Sequence, residues 1–341
     1  MLAMSGSGNL NPIRISYAFI VLMIVLVAWL HLATPLLTVL FSYFALQKLS
    51  FGGRKTVAII LFSLMVLALT YGLAFFFHRS LEVFPKIASH TIPSVIEYAK
   101  QHDVELPFTD WDGLKTMALD EVMSRAKSVG TFAKGAGREF VMLIIGLVVA
   151  TSLFVNARMV LEETPGRKNL YRAACEQIAL RFASFYNSFA VVMGAQIAIS
   201  AINTSLTSIF VFAVNLPYAG IIVVATFLCG LLPIIGNLMS NTIIVGIGFT
   251  VSPKMAVMAL VFLVVLHKLE YFLNSKIIGD RIKNPVWMTL LGLVLGERLM
   301  GIPGMILAPV VLYWLKVETS QLPAGEEQNT MTEPERISVV K

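Results

Sequence analysis

Charge is what this sequence has least of. Asp, Glu, Lys and Arg make up 13% of the 341 residues, about half of the ~25% usual in a soluble domain, and from Phe182 to Pro253 none occurs over 72 consecutive positions. With 57% hydrophobic residues, a soluble globular domain is excluded. Cysteine is nearly absent: Cys175 and Cys229 are the only two, with no CxxC or Cys/His cluster, so neither a disulfide framework nor a zinc site is expected. GxSxG, GxxxxGK(S/T) and HExxH are all missing, and the five histidines do not gather with carboxylates at ligand spacing. His78, His90 and His102 recur every twelve residues, which solvated side chains explain without a metal. No enzyme chemistry, metal or cofactor is therefore expected. Basic runs do not exceed Arg54-Lys55 or Arg167-Lys168, which argues against nucleic acid. The net charge of +6 is better read as basic connections between membrane spans.

What is present is apolar length. At ~20 residues per span, the uncharged stretch alone holds three helices, and the pattern predicts an all-α polytopic membrane protein of eight spans. They are Arg14–Leu30, read as a retained span and not a signal peptide, Ala33–Gln47, Thr56–Phe77, Val141–Asn156, Ser188–Phe212, Tyr218–Leu232, Asn237–Thr250 and Met255–Leu273. Val286–Lys316 is broken by Gly296-Glu297-Arg298-Leu299-Met300-Gly301-Ile302-Pro303-Gly304. It reads as a re-entrant hairpin, because an arm ending at Gly296 reaches only about 16 Å. The domain expectation is membrane helices over 1–77, a helical extramembrane insert over 78–139, and core transport helices over 140–316. The last includes a connection at 156–187 and the hairpin at 286–316; a polar tail at 317–341 is expected to be disordered. The insert carries eight basic and nine acidic residues, and Trp111, Leu114, Ala118, Val122 and Val129 give it one apolar helix face. Lys48–Lys55, Asn156–Asn187 and Asn274–Asn284 carry the basic excess, which predicts a cytoplasmic side for them and for both termini.

Polar residues inside apolar spans are the candidate machinery. Gln196, Ser200, Asn203 and Thr207 share one helix face at i, i+4, i+7 and i+11. Such a stripe either hydrogen-bonds neighbouring helices or lines a pathway. Asn237 and Asn241 follow the break Pro233-Ile-Ile-Gly236, where freed backbone groups can hold an ion or polar solute, or simply turn the chain. Glu270 lies inside a span with His267 three residues earlier, and either gates or relays protons or forms an interfacial ion pair. Glu297 and Arg298 sit at the expected hairpin tip, buried if the tip stops at half depth and exposed if the arms cross fully. Gly292 and Gly296, with Gly304 and Pro309, read as packing and hinge positions.

Pro35, the extramembrane insert, Pro233-Ile-Ile-Gly236, Leu269-Glu270 with Asn274, Ile277-Ile278-Gly279, Gly301-Ile302-Pro303-Gly304-Met305 and Ala308-Pro309 together resemble the autoinducer-2 exporter family of bacterial permeases. The similarity covers nearly the whole chain and is most specific after Leu231. It implies a bacterial inner-membrane protein, typically homo-oligomeric, that exports a small signalling molecule or, in some relatives, exchanges sodium or lithium for protons. Carried over position by position, it points to Pro233, Gly236, Glu270, Asn274, Gly279, Gly301, Gly304 and Pro309. Ile243, Ser275-Lys276 and Glu297-Arg298 depart from the family pattern. Three functions remain open at this stage: gradient-driven export of a small polar solute, monovalent cation/proton antiport through Glu270, and a membrane scaffold or sensor without flux.

Overall fold

The computed structural model describes residues 11–50, 53–101, 129–156, 169–232, 235–277 and 285–321. The helix face begun at Trp111, the start of the connection after 156 and the polar tail beyond 321 lie outside them. Among the described residues there are nine helices and no strand, the all-α polytopic class expected of this composition. α1 (Pro12–Trp29) starts where Asn11 accepts a hydrogen bond from the Ile13 amide at 3.0 Å and Pro12 occupies a first-turn position whose N–H would have had no partner. His31, at φ 52, then turns the chain. α2 (Ala33–Leu49) follows, and Pro35 lies in its first turn, where a proline is tolerated.

Two helices are far longer than a bilayer needs. α3 (Lys55–Gln101) has 47 residues, about 70 Å at 1.5 Å per residue, and passes without a break through position 78, where the insert was expected to begin. α4 (Val129–Val155) likewise starts inside the insert and continues into its span. α5 (Leu170–Ala213) has 44 residues, about 66 Å. It opens where Asn169 accepts from the Arg172 amide at 2.9 Å. The remaining helices are α6 (Ala219–Gly230), α7 (Ile235–Val251), α8 (Pro253–Ile277) and α9 (Val286–Thr319). By length and composition five segments can cross a membrane: Pro12–Trp29, Lys55–Val83, Gly137–Val155, Leu170–Ala213 and Trp287–Thr319.

Length misleads for the last of these. Inside α9, Gly301 has φ 64 and ψ −148, a backbone state open to glycine and strained for any other residue. Here the helix folds back on itself. A Cβ at Gly296 would overlap the Gly304 carbonyl and one at Gly304 would overlap the Gly296 carbonyl, while Gly292 faces Leu312 and Ala308. The arms are therefore antiparallel and in backbone contact, the hairpin expected from the short arm before the break. Pro303 sits in the first turn of the second arm, where it is tolerated.

α6 and α7, expected as two full spans, have 12 and 17 residues, about 18 Å and 25 Å against a ~30 Å hydrocarbon core. They form a second hairpin. Ile222 near the start of α6 shares a buried cluster with Ile247 near the end of α7, which makes the pair antiparallel.

Packing divides the described chain into two clusters joined by α3 and α5. In one, Ala33, Leu37 and Leu40 of α2 meet Phe189, Val192 and Met193 of α5 and Leu307, Val310 and Tyr313 of α9. A neighbouring group joins Leu46 of α2 to Ala58 and Phe62 of α3 and Phe154 of α4. In the other, Val83 and Ile87 of α3 and Val211 of α5 pack with α6, α7 and α8, and Phe210 stacks on Phe262 at 4.1 Å. The two hairpins enter from opposite ends. Tyr17 near the start of α1 donates to Glu318 at 2.9 Å and Glu318 also pairs with Arg181 in the first third of α5, so the feet of α9 lie where α1 and α5 begin. The α6–α7 hairpin starts where α5 ends.

That ion pair is buried: Glu318 is 4% and Arg181 16% exposed, and the guanidinium lies over the Tyr17 ring, 4.5 Å from its centroid. Removing one partner strands the other charge in an apolar setting. Arg181→Met is expected to cost about 3–5 kcal/mol, and Arg181→Met with Glu318→Leu to recover most of it. Thermal unfolding of both variants in detergent checks this, and equal melting of the single variant and wild type would refute it.

Candidate functional site

The stripe on α5 divides between its two readings. Gln196 Nε2 donates to the Gly230 carbonyl at 2.6 Å and Ser200 Oγ to the Phe227 carbonyl at 2.8 Å. These carbonyls belong to the last turn of α6, whose own helical donors run out where the chain breaks. Gln196 and Ser200 thus hold the tip of the α6–α7 hairpin against α5. One turn further on, Asn203 and Thr207 are buried, at 6% and 0% exposed, and Asn203 Oδ1 and Thr207 Oγ1 have no hydrogen-bond partner among the described residues. Thr226 Oγ1 on α6, which sequence reasoning missed, is in the same condition. A lone threonine in an apolar run carries no periodic signal, so only its neighbours across the helix interface reveal it.

These three residues line one small cavity, together with Asn237, Ser240, Asn241 and Ile244 of α7 and Leu263, Leu266, His267 and Glu270 of α8. Its free volume is about 10 Å³, roughly the room one water centre needs. Asn237 closes one side. Its Nδ2 lies 2.8 Å from each Glu270 carboxylate oxygen, and the Glu270 side chain is 14% exposed. The break after Gly230 makes the clamp: Gly236 opens α7 so close to Cys229 that a Cβ would overlap its carbonyl, and Asn237 then projects from the first turn across to α8. His267 Nδ1 lies 3.9 Å from the other face of the carboxylate, and the imidazole is 70% exposed. The cavity thus has a mixed polar and apolar lining, one partly buried carboxylate and an exposed imidazole at its edge.

The other predicted residues lie elsewhere. Gly292, Gly296, Gly301, Gly304 and Pro309 belong to the α9 hairpin, which packs on α1, α2 and α5 and contributes no side chain to this cavity. Glu297 and Arg298 are 53% and 83% exposed on the outer surface of the first arm. Pro233 and Gly279 lie outside the described residues; Asn274 lies in α8, with its side chain outside them. Among the described residues no three His, Cys, Asp or Glu side chains come close enough to hold a metal ion.

The AI-2E family transporter model matches residues 15–323. The chain belongs to that family. This AI-2E transporter is also 28% identical over 149 residues to the Bacillus subtilis (strain 168) protein named "Putative transport protein YdbI", covering 43% of each chain. Its membrane-spanning, multi-pass character follows from the family and from the five apolar helices.

Asn237 supplies the hydrogen-bond donor to both Glu270 oxygens, so its loss leaves a partly buried carboxylate uncompensated. Asn237→Leu is expected to lower stability by about 2–3 kcal/mol, and Asn237→Leu combined with Glu270→Leu to regain part of it. Thermal unfolding in detergent reads both. A single variant as stable as wild type would show that the clamp does not support the fold.

Proposed function

We propose that this AI-2E transporter is a gradient-driven secondary transporter that moves a small polar solute outward across a bacterial cytoplasmic membrane. The reading rests on one observation: a small cavity between α5, α6, α7 and α8 brings Asn203, Thr207 and Thr226 together with the Asn237–Glu270 clamp beside a broken hairpin. Asn203, Thr207 and Thr226 offer a hydroxyl-bearing solute hydrogen bonds that the protein leaves unused. Glu270 accepts from the solute or carries the coupled proton, and His267 connects it to the aqueous side. At about 10 Å³ the cavity is closed to any organic molecule. Transport then requires the α6–α7 hairpin to withdraw from α5, releasing the hydrogen bonds of Gln196 and Ser200, much as broken helices gate other transporters. The basic connections at 48–55 and 274–284 support cytoplasmic termini.

A second reading has its own support. The same cavity fits a bare monovalent cation as it stands, and neutral oxygens with one carboxylate are ligands suited to it, which favours cation/proton antiport. The partners implied are the lipid bilayer, the solute or cation, protons and other copies of this chain.

Inside-out vesicles containing the full protein separate these readings. Adding sodium, lithium or potassium while following a pH-sensitive dye is expected to give no response under solute export and a cation-dependent pH change under antiport. Glu270→Gln keeps the shape of the side chain and is expected to lower either flux at least about tenfold, on the order of the 1.4 kcal/mol that a lost charge-assisted hydrogen bond removes. Asn203→Leu lowers solute efflux more than it changes protein level. If neither substitution alters flux, the cavity is not the transport path; if no flux is found with any solute or cation, a scaffold role takes its place.

A further inference from the structure

A second and larger cavity lies at the far end of the α9 hairpin. Its volume is about 500 Å³, and it is lined by His31, Ala33 and Thr34 of the α1–α2 turn, Arg138 and Glu139 of α4, and Met300, Ile302 and Pro303 at the hairpin tip. This is the size of a small-molecule site. It opens at the membrane boundary. α1 runs 18 residues, about 27 Å and one hydrocarbon thickness, before Trp29, which is 76% exposed and placed as interfacial tryptophans are. Arg138 and Glu139 immediately precede the lipid-facing run that starts with Phe140 and Val141, 63% and 53% exposed. The cleft therefore lies at head-group depth.

Its charges are available. Glu139 has no hydrogen-bond or ion-pair partner among the described residues, and Arg138 makes only a long contact, Nη2 to the Leu30 carbonyl at 3.4 Å. An adjacent guanidinium and carboxylate above an apolar wall match a ligand that carries a phosphate, an ammonium with N–H groups and a hydrocarbon tail. We propose that the cleft binds the head group of a phospholipid bearing a primary amine. Arg138 takes the phosphate by its planar fork, Glu139 accepts from the ammonium, and His31 and Thr34 supply further donors to the phosphate and glycerol oxygens. Met300, Ile302 and Pro303 flank the start of the acyl chains, so the lipid bridges α4 and the hairpin tip beside the Gly301 turn. A choline head group lacks the N–H that Glu139 needs, and a glycerol head group lacks the cation.

The full-length protein in detergent, titrated with phosphatidylethanolamine, phosphatidylcholine and phosphatidylglycerol of identical acyl chains, tests this by native mass spectrometry of the bound lipid. The ethanolamine lipid is expected to bind about fivefold or more tighter than the choline lipid, the order expected of one hydrogen bond to a charged group. Glu139→Gln should remove that preference while leaving the glycerol lipid unchanged. Arg138→Gln should weaken the ethanolamine and glycerol lipids alike by a similar factor, and Ile302→Trp, which fills the cleft from the hairpin side, should weaken all three. Equal binding of ethanolamine and choline lipids by wild type overturns the proposal without reference to any variant, as does a preference that survives Glu139→Gln. Competition by soluble glycerophosphoethanolamine as strong as by the lipid would assign the cleft to a free zwitterion instead.

Discussion

A backbone amide or carbonyl left bare in hydrocarbon costs several kcal/mol, and the layout of this protein follows from where it can break a helix without that cost. It does so at two places inside the apolar core, and each is covered by protein. At the α6–α7 break, the Gln196 and Ser200 side chains reach over from α5 to the exposed carbonyls of Phe227 and Gly230. At Gly301 the arms of α9 close on each other, and the backbone contact at Gly296 and Gly304 leaves no room for a side chain between them. Elsewhere the chain keeps its helices running, even to the length of α3 and α5.

The two breaks have different consequences. The α6–α7 hairpin ends among polar residues and carries Asn237 to Glu270, so its tip is part of a chemical site. The α9 hairpin packs with apolar side chains of α2 and α5, and its feet are pinned by the buried Arg181–Glu318 pair with Tyr17. Entering from opposite ends and connected by the continuous α3 and α5, the hairpins stand in separate clusters.

The polar stripe on α5 shows how one sequence feature serves two ends. Its four side chains repeat on a single face, and that face crosses the boundary between the covered end of α6 and the cavity beside it. Gln196 and Ser200 are satisfied by backbone carbonyls, whereas the oxygens of Asn203 and Thr207 are not. In a close-packed interior such unsatisfied groups are rare. Three of them line one small cavity.

Much of this was legible in the linear chain. Long apolar runs in a medium without water dictate helices, the Gly292, Gly296 and Gly304 spacing dictates a close antiparallel pair, and a carboxylate such as Glu270 inside a span draws attention because leaving it unpaired is costly. These are local or single-helix properties, readable from periodicity and solvation alone. The tertiary structure decided which donor compensates Glu270, that Thr226 joins the cavity, that α6 and α7 stop short of spanning, and that the α9 hairpin stands away from the site. Each depends on which helix faces lie against one another over large sequence separation. In this chain nearly every helix is apolar, so hydropathy says that a face is buried in lipid or protein but not against which neighbour; only the packed structure resolves that.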